Sequence, residues 1–413
     1  MNLLDLGRIL LGLVLLVGGG ELLVRGASAI ASRAGISPLV VGLTVVSVAT
    51  SAPELAVTMG AVLDDQPDLA VGNVVGSNIA NVLLILGIAA LVLPLVVKEQ
   101  LVKLDVPAMV GLSLVLLLFA VDGTISTLEG AVLLSLMVLH TTVTVLVSRR
   151  DQRREAVRKR RGVGRPQRPV VDGGGQAGES AQAQGQGQAQ GQGDATPAEG
   201  QGETRPGVLR AVVYVVVGVA LLVFGADQLV TGAVSVAEEL GVSGLVVGLT
   251  VVAVGTSLPE LAASVIAALR GERDLAVGNV VGSCIANIGL VLGLPAIISS
   301  GGLPVPGAAA AFDIPVMLAA AVALAPVVFT GFAVARWEAG MFVLLYVAYT
   351  AYVVLGATGH DALEGFTTMM AVFVLPLVVT TLVAAVGYEL GRRAERRATG
   401  LDPDPDPEAR AVG

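Results

Sequence analysis

Apolar residues fill this chain in blocks of about 20, separated by short polar turns. Each block is long enough for a helix to cross a hydrocarbon core of about 30 Å. The blocks are continuous, whereas the strands of a membrane β-barrel alternate apolar and polar positions. The pattern therefore predicts an all-α integral membrane protein with about eleven transmembrane helices, near 4–32, 38–63, 69–95, 104–120, 125–148, 208–238, 244–269, 275–299, 312–330, 335–356 and 366–391. Composition agrees: of 413 residues 54% are hydrophobic and 14% charged, with a mean hydropathy of +0.82, values foreign to a soluble domain. The first block lacks a small-residue cleavage site and is read as a membrane helix, not a removable leader.

The fifth and sixth helices are separated by a different kind of sequence. Residues 149–168 carry ten Lys/Arg, and the stretch that follows is Gly/Gln/Ala low complexity. Such a composition cannot bury enough apolar surface to offset its ordering entropy, so 149–207 reads as a cytoplasmic linker, disordered in its Gly/Gln-rich part. Basic residues favour the inner side of a membrane. With the linker inside, five crossings put the N-terminus outside and six more put the 392–413 tail inside. Arg33, 98–103, 270–273, Arg336 and 392–397 then fall inside, and the predicted outer loops hold no Lys or Arg. The expected location is the cell membrane, multi-pass. A net charge of −8 and an acidic C-terminus suit a solvated tail and point to no nucleic-acid partner.

The chain also repeats itself. Residues 42–88 and 248–294 align without a gap at an offset of 206, with about 30 of 47 positions identical. Weaker similarity extends the match to 1–148 and 208–356, each holding five helices, so 366–391 is an additional helix. Because five is odd, the second unit enters the membrane from the opposite side. Inverted repeats of this kind are a transporter architecture, with a substrate site near the midplane on broken helices. The bland alternative is a duplicated membrane protein without a transport role.

Polar residues collect at two places in each repeat. Thr50, Ser51 and Glu54 surround Pro53, and Thr256, Ser257 and Glu260 surround Pro259. Proline removes a backbone donor, so nearby carbonyls lose a partner, which is costly in hydrocarbon. Carbonyl, hydroxyl and carboxylate oxygens are what hard cations prefer. A carboxylate at mid-membrane costs about 2.5–3.5 kcal/mol even on the gentler scale, so two at matching positions argue for a shared bound cation. The alternative is that they are protonated or paired with a base, yet no Lys or Arg lies within these helix interiors. The second cluster reads GNVVGSNIAN (72–81) and GNVVGSCIAN (278–287). Ser77, Asn81, Ser283 and Asn287 are read as lining an ion site, and Asn73 and Asn279 as interhelical hydrogen-bonding residues. Gly72, Gly76, Gly278 and Gly282 form small-residue stripes for close helix approach.

These four motifs resemble the paired alpha-repeats of the calcium/cation antiporter superfamily, in its sodium/calcium exchanger branch of prokaryotic type. The resemblance implies a secondary antiporter that exchanges Ca²⁺ for Na⁺ by alternating access. It implies no enzyme activity and no cofactor, Ca²⁺ and Na⁺ as transported substrates, and the lipid bilayer as surroundings. By motif, Glu54 and Glu260 would be the central Ca²⁺ carboxylates and Thr50 and Thr256 would add carbonyls. Ser51, Ser257, Ser77, Ser283, Asn81 and Asn287 would line flanking Na⁺ sites. Ser47 and Ala253, one turn earlier, would offer further carbonyls. Some relatives have an aspartate where this chain has Asn287, so here the site carries two negative charges at most and potassium co-transport is not implied.

The rival readings are an H⁺-coupled antiporter of the same fold, and less favourably a cation channel. Thr-Ser-x-Pro-Glu in place of the proton branch's Gly-Asn-Ala-x-Glu speaks against the first. The remaining polar residues take bland readings: Asp105 and Asp313, each followed by x-Pro, as helix N-caps, Glu21 and Arg25 as an i, i+4 pair, and His140 and His360 as incidental.

Overall fold

The computed structural model describes residues 3–160, 207–240, 250–251, 253–330 and 332–398. They form α1 (Leu3–Ala34), α2 in two segments (Pro38–Thr50 and Ala52–Leu63), α3 (Pro67–Val92), α4 (Leu101–Asp122), α5 (Thr127–Arg160), α6 (Val208–Glu239), α7 (Leu258–Leu269), α8 (Arg273–Ile298), α9 (Ala309–Phe329), α10 (Arg336–Thr358) and α11 (Ala362–Arg392). Among the described residues nine of these are long and apolar enough to cross a membrane, and the two parts of α2, bent by 43°, make a tenth crossing. The predicted start of α7 lies largely outside the described residues, as do the Gly/Gln-rich part of the linker and residues 399–413.

The repeats are inverted in space. Four two-residue strands lie in loops: β1 (Leu95–Val96) after α3, β2 (Thr124–Ile125) after α4, β3 (Leu303–Pro304) after α8 and β4 (Ala333–Val334) after α9. β1 pairs antiparallel with β4, and β2 with β3. A direct duplication would place the loops after α3 and α8 at the same end. Here each meets the other repeat's next loop, as an odd number of crossings per repeat requires.

Close packing rests on glycine. A Cβ added to Gly12 would come 2.7 Å from the Gly225 carbonyl, one on Gly19 2.8 Å from that of Gly218, and one on Gly26 2.7 Å from that of Ala211. No side chain fits there, so α1 and α6 pack backbone to backbone along most of their length. Asp5 joins them, accepting from Ser235 Oγ at 2.9 Å. Gly278 and Gly282 do the same for α8 against α2, with their Cβ positions 2.5 Å from Leu39 O and 2.7 Å from Leu43 Cα. The matching partners of Gly72 and Gly76 fall within 241–249, outside the described residues. α3 and α8 are the most enclosed spans and α11 the most exposed.

Two expectations need correcting. Asp105 and Asp313 do not cap α4 and α9. These helices begin earlier, at Leu101 and Ala309, with a π-helical turn, so both aspartates sit inside helical backbone. Their side chains turn to neighbouring helices instead. Asp105 Oδ1 lies 3.0 Å from His140 Nε2 and accepts from Thr144 Oγ1 at 3.0 Å, and Asp313 accepts from the Tyr349 hydroxyl at 3.0 Å. His140 is therefore a buried partner of Asp105, not an incidental residue. In addition, α5 runs on to Arg160, through the first part of the basic run. Arg, Lys, Glu and Gln are good helix formers, and a helix leaving the membrane holds their charges in water.

Candidate cation site

Two breaks in helical backbone build the centre. Ser51 (φ −80°, ψ 7°) and Ser257 (φ −91°, ψ 5°) adopt the same non-helical conformation immediately before the Ala52–Leu63 and Leu258–Leu269 segments. Pro53 and Pro259 follow two residues later and have no N–H, so the carbonyls of Ala49 and Gly255 have no i+4 donor. Each new segment then places its glutamate in the first turn, where the helix dipole favours negative charge.

The two breaks face each other. Ser51 Oγ donates to Glu260 Oε1 at 3.4 Å, and Ser257 Oγ donates to Glu54 Oε1 at 3.5 Å. Each serine of one repeat thus serves the glutamate of the other. Glu54 and Glu260 are fully buried, and no salt bridge to either exists among the described residues. Asn73 Nδ2 donates to Glu54 O at 3.2 Å and Thr58 Oγ1 at 3.0 Å; Asn279 Nδ2 donates to Glu260 O at 3.4 Å and Ser264 Oγ at 2.9 Å. The interhelical role read for both asparagines is what the structure shows.

α3 and α8 supply the flanks. Both change to a π-helical turn at the site, over Ala80–Ile85 and Asn287–Leu292, and the wider turn carries Asn81 in its body and Asn287 at its start. Ser77 and Ser283 lie one turn before. Among the described residues, all but one of the buried oxygens that make no hydrogen bond within the protein belong to these residues: Glu54 Oε2, Glu260 Oε2, Ser77 Oγ, Ser283 Oγ, Asn81 Oδ1, Asn287 Oδ1 and Thr256 Oγ1, the exception being Ser28 Oγ on α1. Buried polar atoms are seldom left so. These oxygens come from three matched residue pairs and one member of a fourth, and with no basic side chain paired to the two carboxylates among the described residues they suit a cation.

The Thr50 hydroxyl and the Ser47 carbonyl are already engaged within the protein. Thr50 Oγ1 donates to Asn279 Oδ1 at 3.2 Å and to Ser47 O at 3.3 Å, so its hydroxyl is engaged. Ser47 is buried beside the break, but its carbonyl already accepts from Thr50 and from the Ser51 N–H at 2.9 Å. A cavity of about 230 Å³ leads from exposed Asp227 on α6, past Ala226 and Val230, to Pro53, Thr256 and Pro259. Sequence reasoning left out Thr58 and Ser264, the hydroxyls that hold Asn73 and Asn279. Their equal spacing from the glutamates in both repeats was the available signal. It also gave no role to Asn78 or to the bond between Arg270 and Glu21.

This arrangement of inverted helix breaks, each with a buried glutamate, defines an integral membrane cation transporter. The chain belongs to the sodium/calcium exchanger family: the family model described as "Sodium/calcium exchanger protein" matches residues 4–146 and 210–355. It is 38% identical over 318 residues to CaxA of Alkalimonas amylolytica, covering 76% of this chain and 87% of that one. It is 35% identical over 341 residues to the sodium/calcium exchanger MaX1 of Methanosarcina acetivorans, covering 83% and 96%. In structure it resembles the sodium-calcium exchanger NCX_Mj with a TM-score of 0.65 at 28% identity, over 85% of this chain and 99% of that one.

Proposed function

We propose that the protein is a secondary antiporter that exchanges Ca²⁺ for Na⁺ across the cell membrane by alternating access. The observation that carries this reading is the pair of buried glutamates from opposed helix breaks, ringed by oxygens without protein donors. Glu54 and Glu260 hold Ca²⁺: two carboxylates balance one divalent charge, and the low-dielectric surroundings strengthen the attraction. Ser77, Ser283, Asn81 and Asn287 serve flanking Na⁺ ions, with Ser51 and Ser257 bridging to the carboxylates. Thr50 and Thr256 contribute carbonyls exposed by the break, and Thr256 its hydroxyl as well. Two negative charges cannot neutralise Ca²⁺ and a full Na⁺ load together, so occupancy is exclusive and the fluxes are coupled. No cofactor enters the cycle.

The N-terminus lies outside and the linker and tail inside. The supports are the basic run that extends α5 and the strand pairing, which joins only loops that the charge pattern assigns to one side. The test of function is ⁴⁵Ca²⁺ uptake into vesicles holding the purified protein. Uptake driven by an outward Na⁺ gradient and not by a pH gradient is expected. Uptake driven by the pH gradient alone would replace Na⁺ by H⁺ as the coupling ion.

A further inference from the structure

Asn81 and Asn287 occupy matching places in the two repeats, yet their surroundings differ by one residue. Across the twofold relation Asn287 meets Asn78, and the counterpart of that partner for Asn81 is Cys284. Asn287 Nδ2 donates to Asn78 Oδ1 at 3.1 Å. The Asn81 amide makes no hydrogen bond to a nitrogen or oxygen; the side chain it meets is the Cys284 thiol, a weak hydrogen-bonding group.

The orientation of Asn78 is itself determined. Its Nδ2 donates to the Cys284 main-chain carbonyl at 3.3 Å and lies 3.4 Å from the Met317 sulfur. Both are acceptors only, so the NH₂ of Asn78 must point there and its oxygen the other way. That oxygen also only accepts, so Asn287 must turn its NH₂ toward it. Asn287 Oδ1 is then left buried and unpaired on the far side of its amide. Two donations in series, anchored on a carbonyl that cannot flip, decide which atom Asn287 offers.

We propose that Asn78 is a positioning residue that commits Asn287 to present its oxygen to a transported ion, while the weaker thiol partner Cys284 holds Asn81 less firmly, so the two flanking sites bind Na⁺ unequally. This rests on the reading of the glutamate pair as a cation site. Ca²⁺ binding is dominated by the two carboxylates, so a neutral amide oxygen weighs more for a monovalent ion.

The test is a double-mutant cycle on the full-length protein in vesicles, reading ⁴⁵Ca²⁺ flux against Na⁺ concentration. Asn78→Cys, which copies the second repeat, should raise the half-saturating Na⁺ concentration about tenfold, the size expected for losing one oriented hydrogen bond. The maximal rate at saturating Na⁺ should change much less. In an Asn287→Ala background the same substitution should shift half-saturation less than about twofold, because no amide remains to be oriented. Asn78→Ala, run through the same cycle, gives the same comparison without a new thiol should the cysteine variant fail to insert. A wild-type Na⁺ curve in these variants, or a shift undiminished in the Asn287→Ala background, overturns the proposal. Failure of the underlying reading shows separately, as wild-type Ca²⁺ and Na⁺ dependence in both Glu54→Gln and Glu260→Gln.

Discussion

The two repeats are nearly the same in sequence where they bind, and differ where helices α1 and α6 meet the helices that carry the glutamates. On one face Gly20 of α1 lies against α7: its Cβ position is 2.5 Å from Ile266 Cδ1 and 3.4 Å from Ala262 O. The counterparts on the other face are Ala226 of α6 and Gly60 of α2. No described atom lies within 4 Å of a Cβ at Gly60, and the cavity from Asp227 to Thr256 occupies that side. Charge follows packing. Glu21 is bridged to Arg25 at 2.8 Å and also to Arg270, just after α7, whereas the counterparts of Glu21 and Arg270, Asp227 and Asp64, are both acids. Nearby, Lys98 pairs with Asp274 at 2.5 Å. One face is closed by packing and ion pairs; on the other a cavity lies beside Asp227, and the two positions that form the ion pair on the closed face are both acidic. An inverted-repeat transporter can alternate its access by exchanging such roles between its two halves.

The largest effects should come where the repeats are alike. Glu54→Gln and Glu260→Gln should each lower Ca²⁺ transport at least about 100-fold, within the roughly 2–5 kcal/mol typical of removing one member of a buried charge pair. The two losses should agree within about tenfold, read as flux per correctly inserted molecule. Gly20→Val addresses the closed face. Overpacking costs about 1–3 kcal/mol, so exchange should slow roughly tenfold, while Gly60→Ala, in open space, should leave the rate within about twofold. Asn287→Asp adds a third carboxylate to the ring and should tighten half-saturation for Na⁺ several-fold, with Ca²⁺ still carried; superimposable Na⁺ curves would put Asn287 outside the site.

Smaller effects are expected from the closing ion pair. Arg270 and Glu21 are each about a third exposed, and such pairs contribute about 1 kcal/mol or less. Arg270→Gln should therefore change apparent Ca²⁺ affinity from either side by no more than about fivefold, and by less in high salt. Deleting residues 170–205 should change nothing measurable in exchange, because the segment has no apolar surface with which to dock. Lost exchange in a correctly inserted deletion protein would show that the segment takes part.

Hydropathy and repeat matching single out the helices and the polar residues Glu54, Glu260, Ser77, Ser283, Asn81 and Asn287, which the fold buries, because bilayer length and the cost of buried polar atoms act on composition directly. Asn73 and Asn279 could be read as interhelical for the same reason. What stayed hidden depends on direction. An aspartate before x-Pro looks like a cap at either end of a turn, and only the early start of α4 at Leu101 turns Asp105 toward His140. The Thr50 hydroxyl has no role in the sequence reading, and only the structure shows that it reaches Asn279 Oδ1, 3.2 Å away in the other repeat. The Asn78/Cys284 mismatch was visible in the alignment of repeats, but its consequence needed the Cys284 carbonyl in place. Arg270 reads as a basic loop residue, and its bond to Glu21 on α1 spans 249 positions of chain.

Equilibrium binding of ⁴⁵Ca²⁺ to the purified protein, titrated with Na⁺, tests the shared site most directly. One Ca²⁺ per chain is expected, displaced completely and competitively by Na⁺, with binding lost in both Glu54→Gln and Glu260→Gln. Ca²⁺ binding that Na⁺ leaves unchanged, or that survives both substitutions, would contradict a single two-carboxylate site that couples the fluxes by holding one load or the other.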